Sequence, residues 1–413
     1  MTDLNGVSWV GLTFVDVFGL LNSVQLPAER FEAAVTDGEP FDGSALEGRT
    51  RYLEADMLLR PDADTVMRLG DGIARAVCDV LTLEGKPWPG DPRTALEAVA
   101  ASVADLAERW SAGVELEFYL LNADGSPVDR GGYFDDVVEG PGAATVRQAA
   151  DRLRACGLEI DACHHEAGPG QYELDLAALP PVALADALVF AKQVVKESAA
   201  AVDLRATFMP RPFDGQPGSG LHLHQHVEGL VVDGGLDEDG RAYVAGQLAH
   251  ARGLSALAAP TVNSYKRLHA GPEAPGAVVW AHKNRAALIR LSSFRGREAS
   301  IEYRGADPSA NPYLLIAGLL ASGAHGLEAE IELPPPLEED VGTFDPAGAD
   351  AIRYEPLPRD LDDALDALLA DDVLADTFDR QLLSRLVDGR RAEAEEYRAH
   401  VTGWEVERYR DEA

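Results

Sequence analysis

The feature that most limits what this chain can fold into is a change of hydrophobic period near residue 93. Before it, short alternating runs such as Val7-Ser-Trp9-Val-Gly-Leu12 are separated or followed by turn signals at Asp71-Gly72 and Pro89-Gly90. A period of two belongs to half-buried strands, so residues 1–93 are predicted to form a small strand-rich domain. After Pro92 the apolar residues Leu96, Val99, Ala100, Val103, Leu106 and Ala107 recur at helical spacing, and residues 94–413 form the second, larger domain. There, helical stretches (about 94–110, 143–156, 182–200, 241–257 and 311–327) interleave with strand-like ones (114–121, 171–176, 221–227, 286–291 and 299–304). A proline- and acid-rich passage over 334–350 reads as an exposed loop before final helices around 361–369 and 376–408.

Composition narrows the function classes. A chain of 413 residues, 46% hydrophobic, can bury one large core or two unequal ones. The opening stretch lacks the pattern of a signal peptide, and no apolar run approaches the roughly 18 residues of a membrane span, so a soluble, cytoplasmic protein is expected. Cys78, Cys156 and Cys163 form no CxxC pair and each reads as a core thiol. The formal charge of −34 arises from 70 acidic against 36 basic residues. That balance argues against nucleic-acid binding and against docking on an anionic membrane, both of which begin with a basic patch. Such a surface repels itself in dilute buffer and is relieved by concentrated salt, which points to the salt-rich cytoplasm of a halophile.

Several short segments carry groups suited to chemistry. Glu115 and Glu117 lie two apart in an apolar strand-like run, so both carboxylates share one face and can reach one metal cluster. Where acidic residues are this frequent, the pattern E-x-E also arises by chance, and Glu328-x-Glu330 and Glu393-x-Glu395 read as solvated examples. Glu166 and Glu173 bracket a Gly-Pro-Gly turn that can fold them toward a common point, a pairing suited to a hard cation. The preceding His164 and His165 read as structural or substrate-facing, because Mg²⁺ prefers oxygen. His222, His224 and His226 alternate after a glycine turn and could form a transition-metal row. Glu302 and Arg304 place a carboxylate beside a guanidinium, and with Arg267, Arg285 and Arg290 they make a cationic group in an anionic protein. Surface ion pairs are the ordinary reading of such arginines; recognition of phosphate and carboxylate is the reason to collect them.

Taken in order, these segments resemble the glutamine synthetase family. The most specific blocks are Asn263-Ser-Tyr-Lys-Arg267-Leu with Glu273-Ala-Pro, Asn284-Arg285 through Arg290, and Glu302-Tyr-Arg304-Gly-Ala-Asp307 through Tyr313. Phe41-Asp42-Gly-Ser44 and Glu54-Ala-Asp56-Met resemble the family's small domain. The resemblance implies an α+β protein: an N-terminal β-grasp-like domain, then a catalytic α/β domain whose curved antiparallel sheet carries the site. It implies a homo-oligomer, a dodecamer of two stacked hexamers, in which the neighbour's small domain completes each active site.

The same resemblance implies ATP-dependent joining of ammonia to the γ-carboxyl of glutamate through γ-glutamyl phosphate, with two to three Mg²⁺ or Mn²⁺ per site. Glu117, Glu166 and Glu173 would hold one ion, and Glu115, His222 and Glu302 a second. Arg267, Arg285 and Arg304 would bind glutamate carboxylates and the transferred phosphoryl, and His224 and Arg290 would face the nucleotide. Glu273 falls in a flap that shields the intermediate from water, while Asp42, with Tyr133, Glu166 and Glu273, would attract ammonium and take its proton. Four positions depart from the family pattern: Pro217 for asparagine, Ala45 for serine, Pro272 for tyrosine and His226 for serine. Alternative readings are γ-glutamylation of a larger amine such as a polyamine, a non-catalytic nitrogen-state sensor, and a guanidino kinase of related fold.

Overall fold

The computed structural model describes residues 4–47, 56–136, 140–269, 273–292, 299–338 and 354–411. Glu54, Ala55 and Pro272, singled out in the sequence, lie outside those residues, as does 339–350 of the expected loop; 334–338 has no regular structure.

Alternating apolar residues build the first sheet. β1 (Trp9–Val15) and β2 (Leu21–Pro27) are joined by a turn that Asp16 holds, its Oδ1 accepting from the backbone of Phe18 and Leu20 at 3.0 and 2.9 Å. They are followed by α1 (Phe31–Asp37), β3 (Glu39–Asp42), β4 (Asp56–Pro61), β5 (Met67–Gly70) and β6 (Ile73–Leu81). The strand order is β2-β1-β6-β4-β3 with β5 on β6, and β1 runs parallel to β6. Val10, Leu12 and Phe14 of β1, Ala74, Ala76, Cys78 and Val80 of β6, and Phe31 and Ala34 of α1 form one apolar cluster. A sheet closed on one face by a single helix gives the β-grasp arrangement.

α2 (Pro92–Ser102) starts where Asp91 accepts from Arg93 N and Thr94 N with proline at the first turn, a strong helix start. Arg93, only 5% exposed, ties the two domains: its guanidinium bonds Asp62 and Asp79 of the first and Glu97 and Asp186 of the second. The single helix expected over 94–110 is broken at Val103 (φ −120°, ψ 43°), and α3 (Ala104–Arg109) follows.

The larger domain continues as β7 (Trp110–Leu121), α4 (Pro141–Ala155), β8 (Ile160–His165), β9 (Gln171–Leu179), α5 (Pro181–Ala200), β10 (Arg205–Thr207), β11 (Leu221–Val227), the short β12 (Val231–Val232) and β13 (Gly235–Leu236), α6 (Glu238–Ala249), α7 (Ala251–Ala258), α8 (Ser264–Leu268), β14 (Trp280–Ala281), β15 (Ile289–Ser292), β16 (Ser300–Tyr303), α9 (Pro312–Glu328), α10 (Leu361–Ala370), α11 (Asp372–Thr377), α12 (Arg380–Ala399) and α13 (Gly403–Tyr409). The main sheet runs β14-β15-β16-β11-β7-β9-β8, with β10 added to β7. It is antiparallel except for the β14–β15 pair, so it is a mixed sheet where an antiparallel one was expected. Along β7, Val114, Leu116, Phe118 and Leu120 enter the large core shared with α4, α5 and α9, which leaves Glu115 and Glu117 on the opposite face.

Two further expectations are refined by local chemistry. The helix expected over 241–257 divides at His250 (φ −98°, ψ 5°). The terminal stretch forms three helices because Asp371, Asp379 and Thr402 each accept at a side-chain oxygen from a backbone N–H two or three residues on, those of Leu374, Gln381 and Glu405, and each such cap begins a new helix. The core-thiol reading fits Cys78, which is buried, but not Cys163, which is exposed near the start of the β8–β9 hairpin. Among the described residues no helix is long and apolar enough to cross a membrane.

Candidate active site

Strand register creates the site. His222 on β11 stands opposite Glu115 on β7, His224 opposite Glu302 on β16, Glu302 opposite Arg290 on β15, Glu117 opposite Glu173 on β9, and His164 on β8 opposite Glu173. Side chains directly across neighbouring strands share a face. The result is one continuous polar band over six strands, backed by apolar core.

Two groups in this band bring three ligand atoms within 4.8 Å of one another: Glu115, His222 and Glu302, and His164, Glu166 and Glu173. In the first, Glu115 accepts from both histidines, at 2.7 Å from His222 Nδ1 and 3.0 Å from His224 Nε2. Burial alone would raise its pKa, but the two histidine donors outweigh burial and hold the carboxyl well below the usual range. Glu302 has no exposed surface and receives Arg290 Nε and Arg304 Nη1 at 2.5 Å each. Its carboxyl is likewise held low: burial opposes ionisation, and Arg304, His224 and Arg290 overcome it.

The second group is crowded with like charge. Burial, then the neighbouring Glu117, pushes Glu166 up to about 8. Glu173 is raised by burial and by Glu115 and Glu117. His164, set aside as a ligand in the sequence, meets Glu173 at 3.0 Å and Glu166 at 3.7 Å. Glu117, expected in this group, instead accepts from Gly220 N at 2.9 Å and Gln171 Nε2 at 3.2 Å, and its Oε1 lies 3.9 Å from His222, so it stands between the two clusters.

A cleft of about 420 Å³ opens beside the band, with Glu117, Glu166, His222, Arg267, Glu273 and Arg304 in its lining. Arg267 is buried, donating to the carbonyls of Arg304 (3.1 Å) and Gly305 (3.5 Å). It passes so close to Gly218 that a Cβ there would lie 2.7 Å from Arg267 Cγ and from Pro210 O, which is why glycine precedes β11. Gly170 meets a similar limit: φ is +70° and a Cβ would lie 2.9 Å from Leu120 O, so the Gly-Pro-Gly turn can seat only glycine there. Arg285 is exposed, 3.4 Å from Glu273, with its guanidinium 5.9 Å from the Tyr133 ring. Tyr133, Glu273 and Arg285 therefore gather at one mouth of the cleft.

Asp42 is not among the cleft-lining residues; it sits at the end of β3, accepting from Ser44 N at 3.0 Å. Pro217 does line the cleft, and its carbonyl accepts from Tyr119 OH at 2.8 Å. His226 faces Ser111 across the β7–β11 register. Three cleft or near-cleft residues were not singled out in the sequence: Arg211, whose buried Nε has no hydrogen-bond partner among the described residues, Gln171, and Asp129 beside the β8–β9 hairpin. Gln171 lay within the bracketed turn, a signal that could have found it; nothing local marks Arg211 or Asp129.

Residues 6–83 match the family model of the glutamine synthetase β-grasp domain, and residues 89–409 match that of the glutamine synthetase catalytic domain. Fold and site thus define an enzyme of the ATP-dependent glutamate–amine ligase class. The glutamine synthetases of Thermotoga maritima and Halobacterium salinarum are each 37% identical over 98% of this chain, covering 96% and 94% of those proteins. A solved GmaS/ADP complex superposes with a TM-score of 0.88 at 30% identity over the whole of both chains. The Plasmodium falciparum glutamine synthetase shares the fold at a TM-score of 0.87 and 20% identity, covering 98% of this chain and 96% of that one. The chain belongs to the glutamine synthetase family.

Proposed function

We propose that this enzyme phosphorylates the γ-carboxyl of glutamate with ATP and transfers the γ-glutamyl group to ammonia, forming glutamine, ADP and phosphate. The observation that carries the reading is the placement of two carboxylate–histidine groups beside buried arginines at one cleft. Carboxylate oxygens gathered with one imidazole nitrogen suit Mg²⁺ or Mn²⁺, and the like charge crowded on Glu166 and Glu173 favours a cation there. Glu115, His222 and Glu302 would hold one ion, and Glu166 and Glu173, with Glu117 or His164, another. Bound there, divalent ions would neutralise phosphate oxygens.

The chain's own groups supply the rest. Arg267 and Arg304 would bind the glutamate carboxylates from the cleft wall, and the exposed Arg285, beside Glu273 at the mouth, the transferring phosphoryl group. Arg290 and His224, at the β15–β16–β11 end of the band, would face the nucleotide phosphates. The γ-carboxylate oxygen attacks the terminal phosphorus as the bond to ADP breaks; the amine nitrogen then attacks the γ-carbon and phosphate leaves. Glu273 and Asp42 would remove the proton that ammonium must lose. Because Asp42 is outside the cleft of its own chain, we infer that it serves a neighbour's site in a ring, for which two stacked hexamers are the favoured form. The exposed Val401, Trp404 and Tyr409 around α13 also suit burial against another copy. We place the division between domains at residue 93 and the enzyme in the cytoplasm.

A second reading, γ-glutamylation of a larger amine such as a polyamine, draws on Pro217 in the cleft wall and on Tyr133 and Phe134, which are 46% and 63% exposed beside the acidic mouth. ADP release in concentrated salt with glutamate, ATP, Mg²⁺ and either ammonium or putrescine separates the two. Turnover with putrescine alone would overturn ammonia as the acceptor.

A further inference from the structure

Asp129 lies outside the band and the cleft, yet it gathers four donors. Its Oδ1 accepts from His165 Nε2 at 2.8 Å, Gly170 N at 2.9 Å and Gly131 N at 3.1 Å, and its Oδ2 accepts from Tyr172 OH at 2.6 Å. Three of these donors belong to the β8–β9 hairpin, and the fourth begins the loop that ends in Tyr133 and Phe134. The His165 side chain is fully buried, and its other nitrogen, Nδ1, meets Glu166 O at 2.7 Å. With an oxygen acceptor at each nitrogen, the ring donates at both ends and forms a rigid strut from Asp129 to the Glu166 backbone. The loop is fastened to the same strut, because Phe134 N donates to His165 O at 3.1 Å. Tyr133 packs edge-on against His164, with ring centroids 5.9 Å apart.

We propose that Asp129 is a positioning residue that holds the Glu166 turn and the Tyr133 loop in one frame on the amine side of the cleft. The proposal rests on the ligase reading above, together with the family resemblance, under which Tyr133 and the metal-ligating Glu166 also face the incoming amine beside Asp42 and Glu273. A carboxylate is the side chain this junction needs. Four converging donors require two acceptor oxygens, and asparagine offers one. The glutamate and nucleotide sides are anchored elsewhere: Arg267 by the carbonyls of Arg304 and Gly305, and Glu302 by Arg290 and Arg304. Loss of Asp129 therefore frees one edge of the site and leaves the other in place.

The test is steady-state kinetics of the assembled enzyme carrying Asp129→Asn, varying amine, glutamate and ATP in turn, with thermal unfolding measured alongside. The expected result is a rise of roughly tenfold or more in KM for the amine, the scale of a lost outer partner, with KM for glutamate and ATP changed by less than about threefold. Tyr172→Phe removes a single donor and should shift the amine KM in the same direction by a smaller factor. Unchanged amine KM in Asp129→Asn, or all three constants rising together, overturns the proposal. If Asp129→Asn does not assemble, Tyr172→Phe decides alone, and an unchanged amine KM again overturns it. A wild-type enzyme that releases no ADP with any amine overturns the amine-transfer reading itself, and this inference with it.

Discussion

Glu115 and His222 stand directly opposite each other on antiparallel strands, and Glu115 Oε2 meets His222 Nδ1 at 2.7 Å. The same glutamate spends its second oxygen on His224, so one carboxylate orients two rings. A slip of β11 by one residue against β7 would turn His222 and His224 into the apolar core and leave Glu115 without both partners. The site is therefore as well specified as the core behind it.

Glu302 is the most enclosed member of the band, and its loss should be felt twice. Glu302→Ala leaves Arg290 and Arg304 facing each other without their shared carboxylate, which should cost about 3–5 kcal/mol of stability. Turnover should fall by more than the roughly 10- to 100-fold typical of outer-shell partners. Chemical denaturation and ADP release measure the two effects; near-normal turnover would remove Glu302 from the proposed site.

The Glu166–Glu173 group makes the metal-free enzyme sensitive to pH. Glu166 is raised from 4.5 to about 8, so between those values the folded chain holds a proton that the unfolded chain has released. Its contribution to stability is complete below pH 4.5 and is lost as pH rises through 8. A divalent ion replaces that proton, so cation binding should release protons and tighten with pH. Added Mg²⁺ should accordingly raise Tm more at pH 8 than at pH 6. An equal or smaller gain at pH 8 would count against metal binding at this group.

The proposal that neighbouring chains share active sites makes a prediction about mixtures. Asp42→Ala and Glu117→Ala should each be inactive alone, because one damages the site of a neighbour and the other its own. Dissociated and reassembled at equal amounts, they should recover roughly a quarter of wild-type activity, since a site needs intact Glu117 from one chain and intact Asp42 from the next. No recovery in properly reassembled rings would show that Asp42 does not act across the interface.

The net charge carries a prediction about salt. With −34 formal charges on the chain, raising KCl from about 0.1 M to about 1 M shortens the screening length from about 10 Å to about 3 Å. Thermal unfolding should move to higher temperature over that range, with the shift levelling once repulsion is screened. A Tm independent of salt would set the halophilic reading aside.

Much of this was legible in the residues. The period change at residue 93, the carboxylates two apart at Glu115 and Glu117, and the glycine-bounded Glu166–Glu173 and Gly218–Gly220 segments are local patterns with local physical causes. The helices expected from about 94 and 311 begin at Pro92 and Pro312, where the Asp91 and Asn311 side-chain oxygens and the following proline act within one turn. The helix interruptions at Val103 and His250 were not legible, because nothing in their immediate sequence demands a break.

The sequence by itself determined which residues carry charge, which faces are apolar and which turns require glycine, because those properties depend on neighbours within a few positions. Only the tertiary structure decided that Glu302 lies between Arg290 and Arg304, that Glu117 stands between two clusters, and that Asp129 braces a hairpin about 40 residues away. Those relations depend on strand order and register, and register is chosen by burial of the whole opposite face rather than by any one of the residues it brings together.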